Sequence, residues 1–173
     1  MTDIFVEQIV KKKMGPKDVC IICLTILVGL TLITLSMAVQ WLFLFVPMIL
    51  IGVCVGGYYL ITSRSLEFEY SVTNGDVTID KIINRRRRKR VISVDAHTIE
   101  DMGKFRPEIV KQKGSYKPYF ASEYDSGEGS WYFCAHSQKE GNVLVVFNPE
   151  EKVLHAMKPF IPRQVAFVAF DRH

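Results

Sequence analysis

Residues 19–63 run for 45 positions without an Asp, Glu, Lys, Arg or His. A hydrocarbon core about 30 Å thick takes about 20 apolar residues in a helix, so this stretch is too long for one crossing and long enough for two. We read a first span over residues 19–39 and a second over residues 41–61, joined by a tight turn at Gln40-Trp41. Trp41 then sits at one interface, and Tyr58 and Tyr59 fit the aromatic belt of the other. Ser36-Met37-Ala38 loosely matches the small-x-small pattern of a signal-peptide cleavage site. The apolar region is longer than a signal peptide uses and a second apolar segment follows at once, so both segments are read as retained helices.

The flanks set an orientation. Lys11, Lys12, Lys13 and Lys17 precede the first span, Arg64 and a basic run follow the second, and the turn between carries no charge. Under the positive-inside rule these lysines act as topology determinants and both termini are cytoplasmic, as in a multi-pass protein of the cell membrane. The expected organisation is a basic N-terminus over residues 1–18, a two-helix hairpin over 19–63 and a cytoplasmic domain over 64–173. Pro47 should kink the second helix, which neighbouring helices tolerate. Gly52 and Gly56 form a small-xxx-small pair suited to close helix packing, either within the hairpin or in a homo-oligomer through the transmembrane helices. Cys20 and Cys23 have C-x-x-C spacing but lie in an apolar span with no His or acid nearby, so they read as small packing residues.

The remainder reads as mostly β. Leu66, Phe68, Tyr70 and Val72 alternate with polar residues, Asn74-Gly75 signals a tight hairpin, and a second strand returns through Val77, Ile79 and Ile82. A third strand follows at residues 91–94. Residues 95–103 suggest a short capped helix stopped by Gly103, and residues 104–129 show only one strand, near 116–124. Residues 130–136 and 142–148 form another hairpin. Asn148 as cap, Pro149 and the acids Glu150 and Glu151 open a final helix, whose stripe is Val153, Leu154, Met157 and Phe160 or Ile161. Pro159 and Pro162 mark its end. The result is an all-β barrel or sandwich with a helical plug.

Two stretches carry a resemblance: "EYSVTNGDVTIDKIINRRRRKRVISVD" (residues 69–95) and "NPEEKVLHAMKPFIP" (residues 148–162). With the hairpin before them, they make the chain resemble a family of small bacterial membrane proteins with two transmembrane helices and a C-terminal bacterial PH-like domain. The resemblance implies a barrel of about seven antiparallel strands capped by one C-terminal helix, and it carries no activity with it. In lipid-binding members of that fold a basic pocket surrounds the loop between the first two strands. On this reading that loop is the uncharged Asn74-Gly75, and Lys81, Arg85 and Arg87 do not reproduce the usual spacing of such sites.

No catalytic constellation appears, and the chain reads as non-enzymatic, with no metal and no cofactor called for. His97, His136, His155 and His173 are scattered. Cys134 and His136 share a predicted strand face, but a Cys among aromatic residues usually behaves as a buried hydrophobe. Glu100-Asp101 and Glu150-Glu151 suit helix starts. Ser126 to Ser130, "SGEGS", lacks the strand-to-helix setting of a phosphate loop. Lys113 and Lys117 among Tyr116, Tyr119, Phe120 and Tyr124 could stack single-stranded nucleic acid, though a barrel strand and loop account for them.

What stands out is "NRRRRKR", residues 84–90. The chain has 22 Lys+Arg against 18 Asp+Glu, and without the six cations of the run its formal charge of +4 becomes −2. The basicity is therefore one patch, which argues for a localised partner. If the strand after the second span leaves the membrane steeply and Asn74-Gly75 turns the chain back, the run returns to the headgroups. Arg64, Arg85, Arg86, Arg87, Arg88, Lys89 and Arg90 are thus the candidate anion-binding residues. The expected role is a module docked on the anionic bilayer surface or a scaffold for a protein partner. Nucleic-acid binding by the run ranks behind both, and a sensor or enzyme with a dispersed pocket ranks last.

Overall fold

The structure, a computed structural model, describes residues 4–170. It divides into a helical unit over residues 14–65 and a β-rich unit formed by residues 1–13 together with 66–173.

The helical unit holds α1 (Pro16–Ala38), a 3-10 segment (Gln40–Phe45) and α2 (Val46–Thr62). Pro16 fills the first position of α1, and Gly15 N donates to Asp18 Oδ2 at 3.3 Å, which explains a start earlier than residue 19. Pro16–Ala38 and the helical stretch Phe43–Thr62 are each long and apolar enough to cross a membrane. The hydroxyls of Thr25, Thr31, Thr34, Ser36, Thr62 and Ser63 each donate to a carbonyl three or four residues back. These polar groups are thus satisfied within their own helix. The close approach of α1 to α2 is at Gly29, where an added Cβ would lie 2.9 Å from Val53 Cγ1. At Gly52 and Gly56 a Cβ would meet nothing within 4 Å, so that pair does not make the helix contact inside the hairpin.

The β-rich unit begins with β1 (Phe5–Lys11), in a segment the sequence suggested was only a basic leader. It pairs antiparallel with β2 (Leu66–Thr73), which turns at Asn74-Gly75 into β3 (Asp76–Ile83), followed by β4 (Arg87–Asp95), in the order β1-β2-β3-β4. Asn74 (φ 50°) and Gly75 (φ 95°) have the left-handed conformations that the Asn-Gly signal requires. Because β1 comes first, the loop between the first two strands is not Asn74-Gly75. It is residues 12–65, which carry the entire helical hairpin.

Past β4 the expected helix is absent. Asp95 caps a single 3-10 turn (Ala96–Thr98), accepting from His97 N at 2.9 Å, and β5 (Ile99–Lys104) runs on through Gly103. Then come α3 (Pro107–Gln112), β6 (Lys117–Ala121), β7 (Trp131–Ser137) and β8 (Gly141–Phe147), ordered β5-β7-β8-β6 with β6 parallel to β8. Two four-stranded sheets thus replace the single antiparallel barrel of about seven strands. β4 and β7 approach where Ser137 Oγ donates to Ser93 O at 3.5 Å, but no ladder joins the sheets there. Two helices close the chain, α4 (Glu151–Met157) and α5 (Arg163–Phe170), because Pro162 interrupts the run between them.

Tyr70, Val72, Ile79, Phe133, Phe147 and Met157 are fully buried in the core between the sheets. Asn148, expected to cap α4, instead ties the unit together. Its Oδ1 accepts from Glu123 N (2.7 Å) and Ser130 Oγ (3.1 Å), its backbone N donates to Tyr70 Oη (3.2 Å), and its carbonyl accepts from Gln8 Nε2 (3.0 Å). Gln8 Oε1 in turn accepts from Glu150 N at 2.8 Å, and Glu150 is the actual N-cap. β1 is thereby stitched to the far end of the chain.

Candidate functional site

The register of the first sheet determines where the basic run goes. Glu69 lies directly opposite Asp80, and Glu67 opposite Ile82, on the face away from the core. Two carboxylates directly opposite each other destabilise a sheet unless a cation intervenes. β4 supplies the cations through a register slip: Ile79 pairs with Ile92 but Asp80 pairs with Arg90, leaving Val91 as an extra residue. Without that bulge, Arg88 and Arg90 would share the face of Ile92 and Val94, which point into the core. With it, they fall on the acidic face.

Three ion pairs result. Arg85 Nε lies 3.2 Å from Glu67 Oε1, Arg88 Nη2 2.5 Å from Glu69 Oε2, and Arg90 Nε 3.0 Å from Asp80 Oδ1. The carboxylates are buried, at 9 %, 5 % and 6 % exposure for Glu67, Glu69 and Asp80, while the arginines lie over them half in solvent. Burial raises the Glu69 carboxyl above its ordinary value, Arg88 opposes that, and the negative charges of Glu7 and Asp80 add to it. The turn itself is strained: Asn84 and Arg85 both have φ of 52°. Asn accepts this conformation, whereas Arg pays about 1–2 kcal/mol, offset by the bond from Arg85 to Glu67.

The other half of the run is different. Arg86, Arg87 and Lys89 are exposed, and among the described residues they have no ion-pair partner. Arg86 is in the turn, while Arg87 and Lys89 lie on the opposite face of β4 from Arg88 and Arg90. This turn occupies a defined end of the sheet. Ile83 pairs with both Leu66 and Arg87, and Glu67 pairs with Lys11, so the turn sits at the end where β1 leaves for the helices and β2 returns from them.

Arg64 belongs to the helical unit, where its Nη1 is 4.0 Å from Asp18 Oδ1 and its Nε is buried without a hydrogen-bond partner. Of the lysines read as topology determinants, Lys12 pairs with Asp125 (2.7 Å) and Lys13 with Glu123 (2.8 Å) and the Tyr124 hydroxyl (2.7 Å). Lys11 and Lys17 are exposed.

The remaining candidates for chemistry are dispersed. Cys134 is fully buried, and burial pushes its thiol up to about 11, so it remains protonated at neutral pH. His136 faces Asn142 Oδ1 at 2.8 Å instead, His97 faces Asp95 at 2.6 Å, and His173 lies outside the described residues. Lys117 and Tyr119 share Glu140, and Tyr116 bonds Glu100, so these aromatics are engaged in side-chain pairs. Among the described residues no group of three His, Cys, Asp or Glu side chains is arranged to hold a metal ion. A groove of about 590 Å³ opens between β4 and the β7–β8 turn, lined by charges of both signs, among them Asp76, Arg90, Asp95, Lys139 and Glu140.

The buried carboxylates were missed in the sequence, although a signal was present. An Asn-Gly turn at 74–75 already places Glu69 opposite Asp80, which demands a cation. What it does not reveal is which arginine answers. Residues 2–167 match the family model described as Bacterial PH-like domain (DUF6106), a match that runs through the helical hairpin as well as both sheets. No curated protein and no solved structure resembles the chain closely enough to match.

Proposed function

The chain belongs to this bacterial PH-like domain family, and we propose that it is a membrane-anchored, non-enzymatic docking module whose β3–β4 turn meets the anionic surface of the bilayer its own helices enter. One observation carries this reading: the turn bearing Arg86 shares a sheet end with Lys11 and Leu66, where the chain departs for and returns from the two apolar helices. Only four residues separate Lys11 from the start of α1 at Pro16, and three separate Thr62 from Leu66. At no more than about 3.5 Å per residue, the covalent connections keep that end within reach of the headgroups. Each exposed Lys or Arg near such a surface is worth about 1 kcal/mol. The three unpaired cations therefore supply about 3 kcal/mol, roughly half of what the whole run would offer. Positive-inside flanks support a cytoplasmic location for both termini.

Spin labels on the full chain in lipid bilayers test this. A label at Arg86→Cys should become shielded from a water-soluble relaxant in anionic bilayers and not in neutral ones, while a label at Asp76→Cys, at the opposite end of the same sheet, stays exposed in both. Equal exposure of the two labels in anionic bilayers would overturn the reading.

A scaffold for a protein partner is the second reading, favoured by the mixed-charge groove beside β4. A photo-crosslinker at Gln138 would capture such a partner in membranes. Nucleic acid would engage the same free cations as lipid, and retention of DNA or RNA falling steeply with salt would separate the two.

A further inference from the structure

The face of the β3–β4 hairpin that turns away from the buried carboxylates carries a second charge cluster. Lys81 of β3 is directly opposite Lys89 of β4, and Arg87 is two residues along the same face, opposite Ile83. Lys81 is half-buried, Lys89 and Arg87 are exposed, and none of the three has an ion-pair partner among the described residues. Like charges directly opposite each other in an antiparallel pair are destabilising. On the other face of this sheet each buried acid of β2 and β3 is met by an arginine, so three uncompensated cations on one facet are an exception within the same sheet.

We propose that Lys81, Lys89 and Arg87 form one binding site for a phosphomonoester headgroup of a membrane lipid, an inference that rests on the docking reading above. Directly opposed side chains lie about 5 Å apart and next-but-one residues on a strand about 7 Å apart, so a single phosphate can touch all three. A phosphodiester carries one negative charge and leaves most of this facet uncompensated. A phosphomonoester carries about −1.5 to −2 near neutral pH and three acceptor oxygens, which matches three neighbouring cationic donors on one face. Arg86, in the turn, contributes to general attraction and not to this site. The bulge at Val91 selects the members of the facet, because it places Arg88 and Arg90 on one face and leaves Arg87 and Lys89 beside Lys81 on the other.

The test is amine footprinting of the full chain in nanodiscs of neutral lipid, of phosphatidylglycerol, and of phosphatidic acid, with the two anionic compositions adjusted to equal surface charge. Labelling of Lys81 and Lys89 should fall several-fold in phosphatidic acid relative to phosphatidylglycerol, Lys139 should be unaffected, and Arg87→Gln should restore part of the labelling. Equal protection by both anionic lipids would overturn the headgroup site while leaving surface docking intact. No protection in either would overturn both. Full protection by soluble glycerol 3-phosphate in neutral discs would show a site for a free phosphate ester and overturn the lipid source.

Discussion

Arg88 reaches past its neighbouring strand to place Nη2 2.5 Å from Glu69 Oε2, a carboxylate only 5 % exposed. Ordinary surface pairs contribute little because water screens both members. Here one member has left water, and removing the other strands a charge. Arg88→Ala should therefore lower the stability of the full chain in detergent by about 2 kcal/mol, whereas Arg86→Ala, which breaks no pair, should stay within about 0.5 kcal/mol. Thermal melts compare the two, and similar melting temperatures would show that the pair is dispensable.

Glu69 also gives the unit a pH signature. Its carboxyl is held above the ordinary 4.5, chiefly by burial, so the folded state binds that proton more tightly than the unfolded chain does. Its contribution is complete below about 4.5 and is lost as pH rises through the folded value. Stability of the wild type should thus fall across this window relative to Glu69→Gln, which cannot titrate. Parallel melting curves against pH for the two proteins would contradict the assignment.

Asn148 is predicted to matter more than a helix cap. Asn148→Ala leaves Glu123 N and Ser130 Oγ without their acceptor, at a cost of about 2–3 kcal/mol. Hydrogen exchange should quicken first in residues 122–130. A variant whose loop exchanges like wild type would place the anchor elsewhere.

Residues 5–11 should prove indispensable. A fragment starting at residue 64 lacks β1, so Gln8 no longer binds Asn148 O and Glu150 N, and the backbone edge of β2 is opened to intermolecular pairing. We expect that fragment to aggregate, and expect a chain in which a short linker joins residue 13 to residue 66 to stay monodisperse in gel filtration. The reverse outcome would mean β1 is accessory.

Much of the architecture can be read locally. The uncharged 45 residues specify two apolar helices, and Asn74-Gly75 specifies the β2–β3 register. β1 escapes such a reading because its apolar residues fall on both faces, with Phe5 and Ile9 exposed and Val6 and Val10 toward the core. Its partner also lies beyond the helical hairpin. Residues 99–104 are a strand because they pair with β7, a contact that outweighs the capping signal at Asp95. The sheets fail to close into one barrel for a similarly non-local reason, since β4 and β7 touch at Ser93 and Ser137 without pairing.

The basic run shows where local information stops. Six adjacent cations, the acids at Glu67, Glu69 and Asp80, and a turn before them are properties of the chain alone, and they determine that opposite charges can meet on this hairpin. Which cations of β4 meet them is decided by a single unpaired residue, Val91. A strand repeats every two residues, so one extra residue exchanges the faces of everything beyond it. Arg88 and Arg90 thereby neutralise buried acids, and Arg87 and Lys89 are left exposed beside Lys81, at the end of the sheet face that bears Ile79 and Phe68. That choice depends on packing Ile79 against Ile92 while pairing Asp80 with Arg90, a condition met only in the folded sheet.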